Sequence, residues 1–219
     1  MNKRQTAQET PARNPERRGY HHGNLRAALV HATRELLASR GPKGFTLADA
    51  ARKAGVSTAA PYRHFADREA LLAAVAHEGF HLFGLKIAEA VEGECDPQEA
   101  LARMGRAYLA FARAEPGYYA AMFAFSAGEH VEPDADHEAA FQLLIGTIAS
   151  VLSARAMPVE AARPLAFQIW SLSHGVATLD AIGHLGDSGM GAEALLVNGA
   201  MALLAACDMP PVHEPSPGA

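Results

Sequence analysis

Apolar residues recur at three- and four-residue steps along almost the whole chain, the period of helices that bury one face. Leu25, Leu29, Ala32 and Leu36 define a first helix, with Asn24 as its N-cap and Gly41-Pro42 as its stop. Thr46 opens a second, and Asp49 three residues later completes an acidic variant of the capping box. That helix ends at Gly55, the residue type that enters the left-handed conformation without steric cost. Ser57 is read as the cap of a third helix running to about His64, and Asp67 as the cap of a fourth that carries Leu71, Leu72 and Val75 past His81. Further helices are expected over 97–114, 117–126, 137–156, 160–184 and 190–207. The separators are Asp96-Pro97, Glu115-Pro116-Gly117, Glu132-Pro133-Asp134, Pro158 and the glycine-bearing stretch 186–191. No run alternates apolar and polar residues, so the expected fold class is all-α.

Both ends break the pattern. Residues 1–22 are polar, contain Pro11 and Pro15, and read as a disordered basic arm; 210–219, with four prolines, read as a disordered tail. The chain of 219 residues is 49% hydrophobic, enough for a globular core. Its longest apolar stretches, 165–179 and 194–207, are interrupted by Gln168, His174 and Asn198, so no membrane association is expected. Arg13, Arg17 and Arg18 have no apolar stretch behind them, which argues against a secretory signal and for a cytoplasmic protein. Cys95 and Cys207 lie far apart without metal-type spacing and read as free thiols; no cofactor and no metal are expected. Charge is divided unevenly. Residues 1–65 hold twelve Lys and Arg against four acids, a net of +8, and the remainder seven against twenty, a net of −13. A basic block on an acidic body fits a polyanionic partner for the first part, whether nucleic acid, an anionic membrane surface or an acidic protein.

The segment 46–65 narrows the choice, because it has the geometry of a helix-turn-helix. Two steeply crossing helices need a small residue at closest approach (Ala51), a tight turn (Gly55) and an apolar plug after it (Val56). The second helix would then present Ser57, Thr58, Ala59, Ala60 and Arg63 to base edges or nearby phosphates in a major groove. Tyr62 is placed for its hydroxyl to reach a phosphate, and Phe65 for core packing, while Arg52 and Lys53 either meet phosphates or solvate a helix face. Pro61 is tolerable in this reading only in or just after the first turn, where few backbone donors have intrahelical partners.

The run Gly55-Val56-Ser57, Tyr62-Arg63-His64-Phe65 and Arg68-Glu69-Ala70-Leu71-Leu72 resembles the DNA-binding domain of the tetracycline-repressor (TetR) family, in register over 25–84. The lead-in Gly19-Tyr20-His21-His22-Gly23-Asn24-Leu25-Arg26 resembles one subgroup, whose regulatory domain is named for a Trp, His and Gly motif that Trp170, His174 and Gly175 match. The resemblance implies a regulator, a repressor in the family's usual sense, that binds a double-stranded, palindromic DNA operator as a homodimer and answers to a small-molecule effector. It also implies phosphate contacts from Thr46, Tyr62 and His64. Arg68 stands where the family commonly has Lys, which keeps the phosphate-binding charge, and Arg17 and Arg18 of the arm are expected to act through phosphates. The chain then divides into the arm, a helix-turn-helix domain over 23–84, a helical regulatory and dimerisation domain over 85–209, and the tail.

In the body, the helices expected over 160–184 and 190–207 are apolar around nearly their whole circumference, and a partner subunit is the simplest cover for the face that the chain's own core does not reach. Met104, Tyr108, Phe111, Tyr118, Tyr119, Met122, Phe123 and Phe125 cluster in sequence. Met104, Tyr108, Phe111, Tyr119, Met122 and Phe123, with Phe141, Phe167, Trp170 and His174, are the candidate lining of an apolar ligand pocket, although each alone also reads as ordinary core filling. Ala121 and Ala177 are candidate positions for filling that pocket by substitution. Two rival readings stand beside the regulator. One is a metal-dependent hydrolase, since His77-Glu78-Gly79-Phe80-His81 matches the H-E-x-x-H pattern; the other is an architectural DNA binder without a ligand.

Overall fold

The computed structural model describes residues 25–124, 135–186 and 189–206, and every regular element among them is helical. Eight α-helices follow in order: α1 (Leu25–Arg40), α2 (Leu47–Lys53), α3 (Arg68–Val91), α4 (Pro97–Ala114), α5 (Pro116–Met122), α6 (Ala135–Ala154), α7 (Ala162–Ala181) and α8 (Ala192–Ala206). Two 3₁₀ turns, Pro61–Arg63 and Val159–Ala161, precede α3 and α7. The arm with Arg17 and Arg18, the Gly19–Asn24 lead-in, Phe125, Cys207 and the prolines of the tail lie outside the described residues.

Local chemistry sets the starts. Thr46 and Asp49 form a reciprocal capping box on α2, the Asp67 carboxylate accepts from the Ala70 amide at 2.7 Å, and Asp96 accepts from Gln98 ahead of Pro97 in the first turn of α4. The ends are set by residues in the left-handed region, Gly41 after α1 (φ 72°) and Gly55 after α2 (φ 73°).

The helix expected from Ser57 to about His64 is not formed. Residues 57–60 make a turn, closed by the Ala60 amide donating to Ser57 O at 3.0 Å, and only Pro61–Arg63 is helical, in the tighter 3₁₀ form. Pro61 explains it: with no N–H it cannot bond Ser57 O, and its ring would crowd that carbonyl in an α-helix begun at Ser57. The expected 117–126 helix stops at Met122, and most of the 160–162 stretch expected to begin α7 belongs to the second 3₁₀ turn.

At about 1.5 Å per residue, the 24 residues of α3 span roughly 36 Å and tie the molecule together. One end joins the buried cluster of α1, α2 and the helix-turn-helix, through Leu71, Leu72, Val75 and Ala76 against Leu29, Leu37, Phe45, Leu47 and Phe65. The other end, at Ile87, joins a second cluster with Met104, Leu109, Val176 and Leu196. Length and composition alone would let α3 cross a membrane, but here it packs on α1, α4, α5 and α6. A third cluster, built on Ile148, Val151 and Leu152 of α6, fills the space between α6, α7 and α8.

Candidate nucleic-acid interface and apolar cavity

The turn before α3 sorts its residues sharply. Pro61 and Phe65 are buried, whereas Ser57, Thr58, Ala59, Tyr62, Arg63 and His64 are exposed and Ala60 is half-buried. Tyr62 is 64% exposed, so its ring lies at the surface. Arg63 and Lys43 are exposed and make no ion pair among the described residues. These groups supply what a groove or phosphate contact needs: cationic heads and hydroxyl donors.

Other expected contacts are directed elsewhere. The Arg68 guanidinium turns inward, donating to the carbonyls of Phe45 (3.2 Å) and Pro42, lying 4.6 Å over the Phe45 ring and pairing with Glu69. It fastens α3 to the loop before α2. The Thr46 hydroxyl is exposed, but its hydrogen points to the Asp49 carboxylate at 2.6 Å, a bond that holds Asp49 below its ordinary pKa. Lys53 pairs with Glu35 at 2.8 Å and Arg52 with Asp49, so these cations are partly neutralised on the surface of α1 and α2.

Against α3 lies an apolar cavity that opens to solvent. Of the candidates from sequence, Met104, Tyr108, Met122, Phe123, Phe141 and Trp170 line it. Four do not. Phe111 is buried in the core shared by α1, α3 and α5, edge-on to Phe83 at 5.3 Å. Phe167 is 45% exposed and covers Phe141 from outside, ring centres 4.7 Å apart, with the Arg163 guanidinium over both. Tyr119 and His174 stand behind the wall in a hydrogen-bonded relay: Tyr119 Oη lies 3.3 Å from Tyr108 Oη and 2.8 Å from His174 Nδ1. Burial raises the pKa of both tyrosines and lowers that of His174, so all three are neutral near neutral pH. Ala121 and Ala177 are sealed in separate cores and do not reach the cavity.

Sequence reasoning missed the walls given by α3 (Phe80, Phe83, Ile87) and α8 (Leu196, Val197, Ala200, Met201). The signal was present as apolar positions one face apart, at i, i+3 and i+7 on α3 and at i, i+1, i+4 and i+5 on α8. On α8 it was absorbed into the argument for a subunit interface.

The H-E-x-x-H segment forms no metal centre. Among the described residues no group of three or more His, Cys, Asp or Glu converges, and the Glu78 carboxylate accepts from the Tyr118 hydroxyl at 2.8 Å. Glu78 thus joins α3 to α5, and the hydrolase reading has no support.

Residues 29–75 match the family described as bacterial regulatory proteins, tetR family, and 101–202 match the tetracyclin repressor-like C-terminal domain. The chain belongs to the TetR family. It is a DNA-binding transcriptional regulator of that family, all-helical, with the DNA-binding part first and the regulatory helices after it. A solved protein of unknown function from Rhodococcus sp. RHA1 is 30% identical, with a TM-score of 0.72, covering 86% of this chain and 98% of its own. The TetR-family regulator PfmR from Thermus thermophilus has the same fold at 18% identity and a TM-score of 0.62, covering 81% and 97%. A TetR variant from Acinetobacter baumannii AYE, solved in complex with minocycline, shares it at 17% identity and a TM-score of 0.59, covering 82% and 94%. No curated protein matches the sequence.

Proposed function

We propose that this TetR-family regulator binds a palindromic operator as a cytoplasmic homodimer and is released from it by a small apolar ligand. One observation carries the reading: the elements that wall the cavity also build the DNA-reading unit. α3 places Phe80, Phe83 and Ile87 on the cavity and Leu71, Leu72 and Val75 in the reader's core. Met122 of α5 lines the cavity while packing where α3 narrows to Gly79, so a Cβ added there would meet Met122 Cγ at 3.1 Å. A ligand that prefers one arrangement of this wall therefore biases the pose of the reader. A neighbour of the same fold was solved in complex with minocycline, which accords with an effector role for the cavity.

Dimerisation is supported by the outer surface of α7 and α8. Leu179 and Ile182 are 42% and 58% exposed, and α8 turns Ala194, Ala202 and Ala205 outward, small residues that let a second helix approach closely. In such a dimer Ser57, Thr58, Ala59, Ala60, Tyr62, Arg63 and His64 meet the groove and its phosphates, Arg17 and Arg18 add phosphate contacts, and Thr46 does so if the phosphate displaces Asp49. The arm spans 1–22, the reader 23–84, the regulatory body 85–209 and the tail 210–219.

Footprinting on the DNA upstream of the protein's own coding sequence, with sedimentation of the complex, tests this. The expected result is protection of two half-sites about one helical turn (34–36 Å) or a small multiple apart by a dimer, with affinity reduced in Arg63→Ala. A monomer that binds at full affinity removes the dimer, and equal affinity for every duplex makes the protein an architectural binder.

A further inference from the structure

Among the described residues the cavity wall carries no Lys, Arg, Asp, Glu or His. A charged group buried there would surrender its hydration without gaining a counter-ion, a penalty that no apolar contact recovers. What the wall does carry is rings set at angles to one another. Phe83 meets Tyr108 edge-on (5.3 Å, 86°), and Phe123 and Phe141 flank Trp170 at 6.4 and 5.6 Å with tilts of 46° and 53°. Tilted rings offer faces and edges that another ring can complete, whereas an alkyl chain gains only buried area.

Two residues of the wall carry hydroxyls, Ser173 and Tyr108, and they differ. Ser173 donates to Ile169 O at 2.8 Å within α7, so its hydrogen is already engaged. The Tyr108 hydroxyl is bonded to that of Tyr119, and the chain continues to His174. A phenolic hydroxyl has one hydrogen and two lone pairs, so the bond to Tyr119 takes either the hydrogen or one lone pair and leaves the rest. The tautomer of His174 sets which. With Nδ1 bare, Tyr119 donates to it and accepts from Tyr108, and Tyr108 keeps a lone pair for a ligand hydroxyl. With Nδ1 protonated, it donates to Tyr119, Tyr119 donates to Tyr108, and the Tyr108 hydrogen is free for a ligand carbonyl.

Building on the effector reading of the cavity, we infer that its ligand is an uncharged aromatic molecule bearing one hydroxyl or carbonyl group, which docks on the Tyr108 hydroxyl. Tyr119 acts as a positioning residue that holds this hydroxyl in place.

Calorimetric titration of the full chain with five probes tests it: naphthalene, 2-naphthol, 2-naphthoate, 2-naphthyltrimethylammonium and 1-decanol. The tightest ligand should be 2-naphthol, with naphthalene weaker by roughly 3- to 10-fold for the missing hydrogen bond and both ions weaker by at least about tenfold for uncompensated desolvation. Tyr108→Phe should remove the advantage of 2-naphthol while leaving naphthalene unchanged, a split that a merely structural role of Tyr108 would not produce. An ion that binds as tightly as 2-naphthol, or decanol binding more tightly, overturns the inference. Silence from all five overturns both the inference and the cavity's effector role. Tight 2-naphthol binding that leaves operator affinity unchanged supports the ligand class and overturns only the coupling to DNA.

Discussion

Thr33, on the buried face of α1, has no hydrogen-bond partner for its hydroxyl although the residue is fully buried. An unpaired buried hydroxyl forfeits its hydration, and valine has nearly the same shape. Thr33→Val is therefore expected to stabilise the fold by about 1 kcal/mol, read as a higher urea midpoint with unchanged slope. His174 makes the opposite kind of statement. Burial lowers its pKa from the ordinary 6.5, so below that value the unfolded chain takes up a proton that the folded chain resists. Its contribution is complete above 6.5 and is lost as the pH falls toward the lowered value. Between about pH 7.5 and 5.5 the wild type should lose more thermal stability than His174→Gln; equal losses would show that His174 is not the group responsible. At this scale the sequence was legible where a residue acts on its neighbours, as in the Thr46–Asp49 box. It was not legible where a side chain chooses between solvent and a distant carbonyl. Arg68 has the charge and place of a phosphate contact, and only the three-dimensional path of the chain brings the carbonyls of Pro42 and Phe45 within its reach.

Three helices end in the same hydrogen-bonded motif. After α2 the amides of Val56 and Gly55 return to Ala51 O and Arg52 O; after α6 those of Met157 and Ala156 return to Leu152 O and Ser153 O; after α7 those of His184 and Gly183 return to Leu179 O and Asp180 O. The left-handed position is glycine in two of them and Ala156 in the third, at φ 55°. Ala156→Gly should raise stability by up to about 1 kcal/mol, the left-handed penalty of an L-residue less the added freedom of the unfolded chain, measurable as a higher melting temperature. Helix existence was readable from periodicity because capping residues and glycine stops agree with it. The reading failed at 57–64, where the pattern of a helix-turn-helix suggested a full helix and one proline overruled it. The four-residue offset that prolines forbid is a local rule, but its outcome depended on where the first turn began.

At the scale of the molecule, α3 and α5 couple cavity to reader, and the cavity can be filled without a ligand. Ala140 lies on its wall and is only partly buried, so a larger side chain there enters the cavity with limited strain. Ala140→Leu is expected to weaken operator binding by roughly 5- to 150-fold, the span of ordinary allosteric coupling, while circular dichroism stays that of the wild type. Unchanged operator affinity would show that the wall does not communicate with the reader. The body was the least legible part, because a helix apolar on all sides does not say which face meets a ligand, which its own core and which another subunit. The inner face of α8 proved to close the cavity.

α5 has a consequence for how this protein can be cut and recombined. Its Gly117 rests against the backbone of Arg34 in α1, with no room for a Cβ beside the Arg34 carbonyl, and Arg34 pairs with Glu115 at 3.0 Å. Phe111, Tyr118 and Met122 lie in the same buried cluster as Leu29, Leu37 and Phe65. At about 1.5–3 kcal/mol for each large apolar side chain buried, these three supply a sizeable share of the roughly 5–15 kcal/mol that holds a domain together. The DNA-reading unit is thus continuous in space but not in sequence. A fragment covering 23–91 should be largely unfolded by circular dichroism, and one extended to 124 should recover helix. Chimaeras that splice this reader onto a foreign regulatory body at the end of α3 inherit the same defect, so a working graft has to carry α5 as part of the reader rather than as part of the body it sits beside in the chain.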